Sequence, residues 1–120
     1  MNEFVPKIDD ATIERLVQRD FVEEITDRVR ALLESYGPKP HHFDRNRVRA
    51  AVLKLANGDL AELPRQLAIA DMDFRDVVGA AEYPSQMKIG FVGLERLAAA
   101  RLQELREQDW REYSIWLSRT

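Results

Sequence analysis

The sequence predicts an all-α protein: a compact array or irregular bundle of four to six helices with a long C-terminal helix. Apolar residues return every third or fourth position through most of the chain, which is the period of a helix face. Asp residues precede these stretches and Gly or Pro residues follow them, as expected at helix starts and ends. With 120 residues, 45% of them hydrophobic, residues 1–120 are predicted to form a single helical domain around one core.

The first helical region is predicted over residues 10–36. Asp9 can accept a hydrogen bond from the free N–H groups of a first helical turn. Asp20 with Glu23 repeats this capping pattern inside the region, so one long helix and two helices joined near Asp20 both fit. The region ends at Gly37, which can adopt a left-handed cap and is followed by Pro38.

A helical hairpin is predicted in the middle of the chain. Asp44 can cap its first helix, which ends at Asn57-Gly58. Asn-Gly also favours a β-hairpin, but the flanking apolar residues repeat with a helical period, so an αα-hairpin is the better interpretation. Pro64 cannot donate a backbone hydrogen bond, which indicates that the second helix begins close to it.

The last part of the chain is predicted to hold a short helix, a segment of undecided structure and a long helix. Asp73 caps the short helix, which ends at Tyr83-Pro84. Met87–Phe91 alternates apolar residues with Lys or Gly, so it fits a strand, a helix or a loop. The long C-terminal helix starts near Leu94 and continues through the last aromatic residues.

The composition excludes several classes of function. The chain has no cysteine, which removes disulfides, thiolate catalysis and cysteine-ligated zinc. Its apolar runs, such as residues 77–81, are far shorter than the roughly 20 residues of a membrane span. Residues 1–6 lack the basic start and the apolar stretch of a secretory signal. We therefore expect a cytoplasmic protein with no membrane partner.

No catalytic residue, cofactor or metal ion is predicted, and we expect a protein that is not an enzyme. The acidic residues of the segment 71–82 partly match the spacing of a calcium loop, but Asp76 stands where that loop needs glycine. His41 and His42 are the only histidines. Because no further histidine or cysteine completes a zinc site, they are interpreted as solvated linker residues.

The C-terminal helix concentrates apolar side chains. Three of them lie on one helical stripe, and Ile115 and Trp116 diverge from that stripe. The cluster therefore fits either packing inside the protein or contact with a second molecule. We predict a non-enzymatic interaction or regulatory protein that binds itself or another protein, with the candidate interface Trp110, Tyr113, Ile115, Trp116 and Leu117.

The one clearly basic segment, residues 41–58, carries four cations and one anion and supports an alternative, a nucleic-acid-associated regulator. The sequence pI of about 5.4 opposes general attraction to a polyanion. Residues 66–81 can be laid over a helix-turn-helix, but Asp71 and Asp73 place carboxylates where phosphates would approach. The candidate nucleic-acid contacts are Arg45, Arg47, Arg49 and Lys54.

Two stretches, RVRAAVLKLANGDL at 47–60 and DFRDVVGAAEY at 73–83, carry a resemblance to known proteins. Together they resemble a class of small bacterial helical proteins of unknown function. The shared features are helix-capping and packing patterns within residues 47–83. The resemblance implies a helical fold for this segment, but it implies no activity and transfers no functional residue.

Overall fold

The computed structural model describes residues 4–120, and this part of the chain is helical without a strand. Seven helices follow one another: α1 (Asp10–Asp20), α2 (Glu23–Glu34), α3 (Arg45–Ala56), α4 (Glu62–Met72), α5 (Phe74–Glu82), α6 (Pro84–Glu95) and α7 (Ala99–Ser118). The predicted all-α fold and the long C-terminal helix, which has 20 residues, are confirmed, but this helix begins at Ala99 and not near Leu94, which belongs to α6. The described residues form one helix more than the upper limit of six, because residues 10–36 form two helices and residues 84–95 form another.

The division of residues 10–36 lies at Phe21 and Val22, both of which have extended backbone. Asp20 does not cap α2: its carboxylate binds the Arg19 guanidinium at 2.7 Å, and Val22 precedes the helix without a side-chain bond. The break points Phe21 into the core, where only 5% of it is exposed. Burial of this ring therefore explains why residues 10–36 form two helices, which the capping pattern alone did not decide.

Two prolines lie inside first helical turns. Pro64 is the third residue of α4, and Pro84 is the first residue of α6. The first four N–H groups of a helix have no intrahelical partner, so a missing donor at these positions costs no hydrogen bond. Pro84 thus ends α5 and begins α6 at once, and Met87–Phe91 belongs to a helix with a kink at Gly90, where φ is +79°.

The centre of the core is α3, which packs against α1, α4 and α5. Half of its side chains are buried, and they lie on more than one face: Val48, Ala50, Ala51, Val52, Leu53 and Ala56. The alanines let neighbouring helices approach closely, and the valines and leucines fill the space between them. The predicted αα-hairpin joins α3 to α4 through Asn57 and Gly58, whose positive φ angles of 50° and 78° turn the chain.

The sixth helix lies outside this core. It packs mainly against α5 and α7, and none of its side chains is buried. The long α7 buries Leu105, Asp109 and Tyr113, and it reaches from this region back to the core, which includes Tyr113. The molecule consequently measures 48 × 31 × 24 Å and is clearly longer than it is wide.

No helix among the described residues is both long enough and apolar enough to cross a lipid bilayer.

Candidate interaction surface

The five C-terminal residues of the predicted interface differ in their burial. Tyr113 is fully buried in the core, and Trp116 stacks on it with 5.6 Å between ring centroids. Leu117 also packs partly buried against the core. Trp110 stacks on Phe4 at 5.7 Å, whereas Ile115 is 57% exposed. Most of the cluster therefore packs inside the protein, and Ile115 is its exposed member.

Two arginines of α1 bind the end of α7. Arg19 donates to the Trp116 carbonyl at 2.6 Å, and its guanidinium lies 4.9 Å from the centroid of the Trp116 ring. Arg15 donates to the carbonyls of Leu117 and Arg119. The last carbonyls of a helix lack intrahelical donors and carry partial negative charge, so cations bind there favourably. These contacts hold Trp116 against α1.

Of the four candidate nucleic-acid contacts, Arg47 is the most deeply engaged. Its Nε and Nη2 atoms donate to the two carboxylate oxygens of Glu82 at 2.9 and 2.8 Å. The two side chains are only 12% and 4% exposed. The hydrogen bonds to Glu82 raise the pKa of Arg47, because they favour its charged form. This guanidinium joins α3 to α5 and does not face solvent.

The other three cations differ in their exposure. Arg49 donates from Nε to the Tyr36 carbonyl, and Lys54 donates from Nζ to the Ala81 carbonyl at 2.6 Å. Burial lowers the pKa of both side chains, since desolvation disfavours a charge. Only Arg45 has an exposed side chain, with one nitrogen 3.5 Å from Asp10. Most cations of the basic segment therefore bind groups of the protein itself.

A cleft of about 530 Å³ lies between α1, α2 and α3. Its floor is apolar, and its rim carries cations and carboxylates in equal number: Asp10, Glu14, Arg30, Glu34, Arg45 and Arg49. Arg30 is bound to Glu14 at 2.7 Å. This mixture of charges does not present the single-sign field that a polyanion would need.

The two histidines are brought together on one carboxylate. The Nε2 atoms of His41 and His42 lie 3.0 and 2.7 Å from Oδ1 of Asp71, at the end of α4. The His42 ring stacks on Tyr36 at 4.1 Å, and its side chain is 1% exposed. The interpretation as solvated linker residues is thus wrong for His42, because the linker folds its ring under α4. Both hydrogen bonds lower the pKa of Asp71, with that from His42 first.

These three side chains have the composition of a metal site, and their ligand atoms lie within 4.8 Å of one another. The surroundings of His42 oppose that use. Its Nδ1 accepts from the backbone N–H groups of Gly37 and Lys39, so the ring proton of the neutral form resides on Nε2. An Nε2 that carries a proton and donates to Asp71 has no lone pair for a metal ion. The hydrogen bonds of His41 and His42 to Asp71 therefore join the linker to α4, and we call these three residues the histidine latch.

Among the described residues, α6 carries more exposed large apolar side chains than any other helix. Phe91 and Val92 are 81% and 61% exposed, and Met87 and Ile89 are exposed as well. Six consecutive residues, 89–94, carry no charge. We call the side chains of Met87, Ile89, Phe91 and Val92 the α6 face. Sequence reasoning considered this segment only for its secondary structure, although the uncharged run 89–94 was a visible signal in a chain with 32% charged residues.

A buried carboxylate attaches α6 to α7. Asp109, which is 1% exposed, accepts from the backbone N–H groups of Ser85 and Gln86 at 3.3 and 3.2 Å. Tyr83, at the N-cap position of α6, makes no side-chain capping bond. Asp109 therefore caps α6 from a different helix, and these two bonds join the first turn of α6 to α7.

Comparison with known proteins does not place the chain in a family: no family model, no curated protein and no solved structure matches it. Its function is inferred from its own geometry. Within residues 4–120, α6 is the helix that leaves every side chain at least partly accessible, and its outer side is apolar.

Proposed function

We propose that this protein is a non-enzymatic interaction module that self-associates through the α6 face. The observation that carries the proposal is the combination of Phe91 and Val92 on a helix with no buried side chain. Exposed apolar side chains lower the free energy of association when a partner covers them, and Phe and Met are enriched in such contacts. This moves the predicted contact surface from the aromatic end of α7 to the adjoining α6.

The α7 helix connects α6 to the core. Tyr113 and Trp116 hold α7 on the core, and Asp109 holds α6 on α7. A contact surface on rigid supports loses less conformational entropy on binding than a mobile one. The first turn of α6 is therefore attached to the core through α7.

Sedimentation velocity over a wide range of protein concentrations tests this proposal. We expect the unmodified chain to form dimers and Phe91→Ser to remain monomeric. Met72→Ser is the matched control, because Met72 is 89% exposed but lies on α4, outside the α6 face. A monomer at every concentration, or equal loss of association in both variants, contradicts the proposal.

The alternative function, a nucleic-acid-associated regulator, has support only from Arg45, whose side chain is 57% exposed. A phosphate-binding surface would need several such cations, and Arg47, Arg49 and Lys54 donate to groups of the protein itself. Fluorescence anisotropy with a duplex oligonucleotide distinguishes the two functions. Binding that weakens with salt and with Arg45→Glu would favour this alternative.

A further inference from the structure

We infer that the cleft between α1, α2 and α3 binds a free α-amino acid with an apolar side chain. The ligand's carboxylate binds Arg49 beside Arg45, its ammonium group binds Glu34, and its side chain lies on the apolar floor. This inference does not depend on the proposed self-association, because it concerns other helices than α6.

The size and the lining of the cleft suit a small molecule. Its volume of about 530 Å³ lies within the range of roughly 300–1,000 Å³ that is usual for ligand sites. Its apolar lining includes Ile13, Val17 and Leu33, which all belong to the buried core. An apolar floor below a charged rim can hold a molecule that has one apolar and one charged end.

Four of the six charges at the rim are matched by a charge of opposite sign. Arg30 binds Glu14 through two hydrogen bonds of 2.7 and 2.5 Å. Asp10 lies 3.5 Å from a nitrogen of Arg45. These two pairs neutralise themselves, so they do not require a ligand.

The remaining two rim charges, on Arg49 and Glu34, have opposite signs but are not paired. Within residues 4–120, neither side chain has a group of opposite charge within 4.0 Å. Arg49 donates from Nε to the Tyr36 carbonyl at 2.9 Å, which restrains the guanidinium. Burial lowers the pKa of Arg49, and the negative charge of Glu34 opposes that shift, so the two groups interact without contact. Separate charges of both signs in one cleft match a molecule that carries both.

Gly37 makes room for two arginine side chains in the lining of the cleft. A Cβ atom at this position would lie 3.1 Å from Nη2 of Arg49 and 3.2 Å from Cβ of Arg45. After burial, the neighbouring charge of Arg45 is the next cause that lowers the pKa of Arg49. A bound carboxylate would relieve the repulsion between these cations, and it can accept two parallel hydrogen bonds from a guanidinium.

The charge balance of the rim favours a zwitterion over a simple anion or cation. The rim carries three cations and three carboxylates, so its sum is neutral. A ligand with only a carboxylate would leave Glu34 unpaired, and a simple amine would leave Arg49 unpaired. An α-amino acid carries both charges on groups that share one carbon atom, so it can pair with Arg49 and Glu34 at once.

Isothermal titration calorimetry of the full chain with L-leucine tests the inference. Three analogues each lack one feature of leucine: isocaproate has no ammonium group, isoamylamine has no carboxylate, and glycine has no apolar side chain. Each should bind roughly tenfold more weakly than leucine or worse, since it loses a charge-assisted hydrogen bond or an apolar contact. No binding of leucine at millimolar concentration overturns the inference. Equal affinity for leucine and any one analogue overturns it as well.

Two variants test the residues that would bind the charged groups. Glu34→Gln should weaken leucine binding roughly tenfold and leave isocaproate binding unchanged or stronger. The matched control is Glu24→Gln, which removes the same charge from an exposed position of α2 outside the cleft. Arg49→Gln should weaken both ligands, and thermal unfolding shows whether this variant keeps its fold. Unchanged leucine binding in Glu34→Gln contradicts the inference even if Arg49→Gln does not fold.

Failure of this inference can be distinguished from failure of the proposed self-association. Phe91→Ser should leave leucine binding unchanged, because Phe91 lies on α6 and not in the cleft. Glu34→Gln should likewise leave the sedimentation behaviour unchanged. Loss of leucine binding in Phe91→Ser overturns the assignment of the amino acid to this cleft.

Discussion

Arg47 of α3 and Glu82 of α5 form a bidentate ion pair, with two N–H···O bonds of 2.9 and 2.8 Å in a site from which solvent is almost excluded. Neither partner was expected to be internal: Arg47 was a candidate nucleic-acid contact, and Glu82 belonged to a partial calcium-loop pattern. The pair holds the two helices that make the most extensive contact in the core. Each charged group has the other as its partner. Replacing only one of them would leave a buried charge unpaired and lower the free energy of unfolding more than replacing both.

We therefore expect Glu82→Gln to lower the free energy of unfolding by about 3–5 kcal/mol, because a buried guanidinium loses its counter-charge. The double variant Arg47→Met/Glu82→Leu should recover most of that loss. Urea denaturation followed by circular dichroism measures both. Arg65→Met, at an exposed pair with Glu62, is the control and should change stability by about 0–1 kcal/mol. A small loss in Glu82→Gln would contradict the role of the pair.

The tertiary cap on α6 predicts a local effect. Asp109→Ala should destabilise the first turn of α6 by about 1–2 kcal/mol, because the N–H groups of Ser85 and Gln86 lose their acceptor. Hydrogen exchange of the α6 amides should accelerate while exchange in α3 stays slow. Glu104→Ala, on the exposed side of α7, is the matched control. Equal acceleration throughout the molecule would show that Asp109 acts on global stability and not on α6.

The histidine latch predicts that the two adjacent histidines differ. His42→Ala should lower stability by about 2–3 kcal/mol, since it removes a buried ring, an acceptor for two backbone N–H groups and a donor to Asp71. His41→Ala, on the exposed side of the same carboxylate, should have little effect. Thermal unfolding distinguishes the variants. A large rise in melting temperature on addition of Zn²⁺, abolished by either change, would instead identify a metal site.

Tyr113 predicts a loss of stability in alkaline solution. Burial raises the pKa of its phenol well above the ordinary value of about 10. Above that pH the unfolded chain releases the proton and the folded chain retains it, so stability falls by about 1.4 kcal/mol per pH unit. Below it, both forms are protonated and this loss is absent.

The matched variant for this effect is Tyr113→Phe. The buried Tyr113 hydroxyl has no hydrogen-bond partner among the described residues, so its removal should raise stability at neutral pH by about 1 kcal/mol. The variant should also lose less stability between pH 10 and 11. A residual alkaline loss is expected, because burial also raises the pKa of Tyr36 and Tyr83. Equal pH profiles for both proteins would contradict the assignment.

Much of the helical architecture was predictable because its signals are local. Asp9, Asp44 and Asp73 each accept a hydrogen bond from a backbone N–H in the first turn of the helix that follows, as expected. Asn57 adopts the left-handed conformation that ends α3. A cap depends on residues two or three positions apart, and the sequence displays them directly. Asp20 is the exception, because its neighbour Arg19 competes for the carboxylate.

The candidate sites were harder to predict, because their partners lie far along the chain. Arg47 and Glu82 are 35 positions apart, and His42 and Asp71 are 29 apart. Composition identified a basic segment and two histidines but not which groups would neutralise or cover them. The α6 face was likewise not recognised, since exposure of Phe91 depends on which helices remain to cover it.

By itself, the sequence determined that this protein is built from helices, where most of them begin and end, and that its C-terminal helix is long. Hydrophobic period and helix capping are properties of neighbouring residues, and they act before distant segments meet. Only the tertiary structure decided which charges are internal and which apolar side chains stay in contact with solvent. Those outcomes depend on desolvation and on packing between helices, which exist only once distant parts of the chain come together.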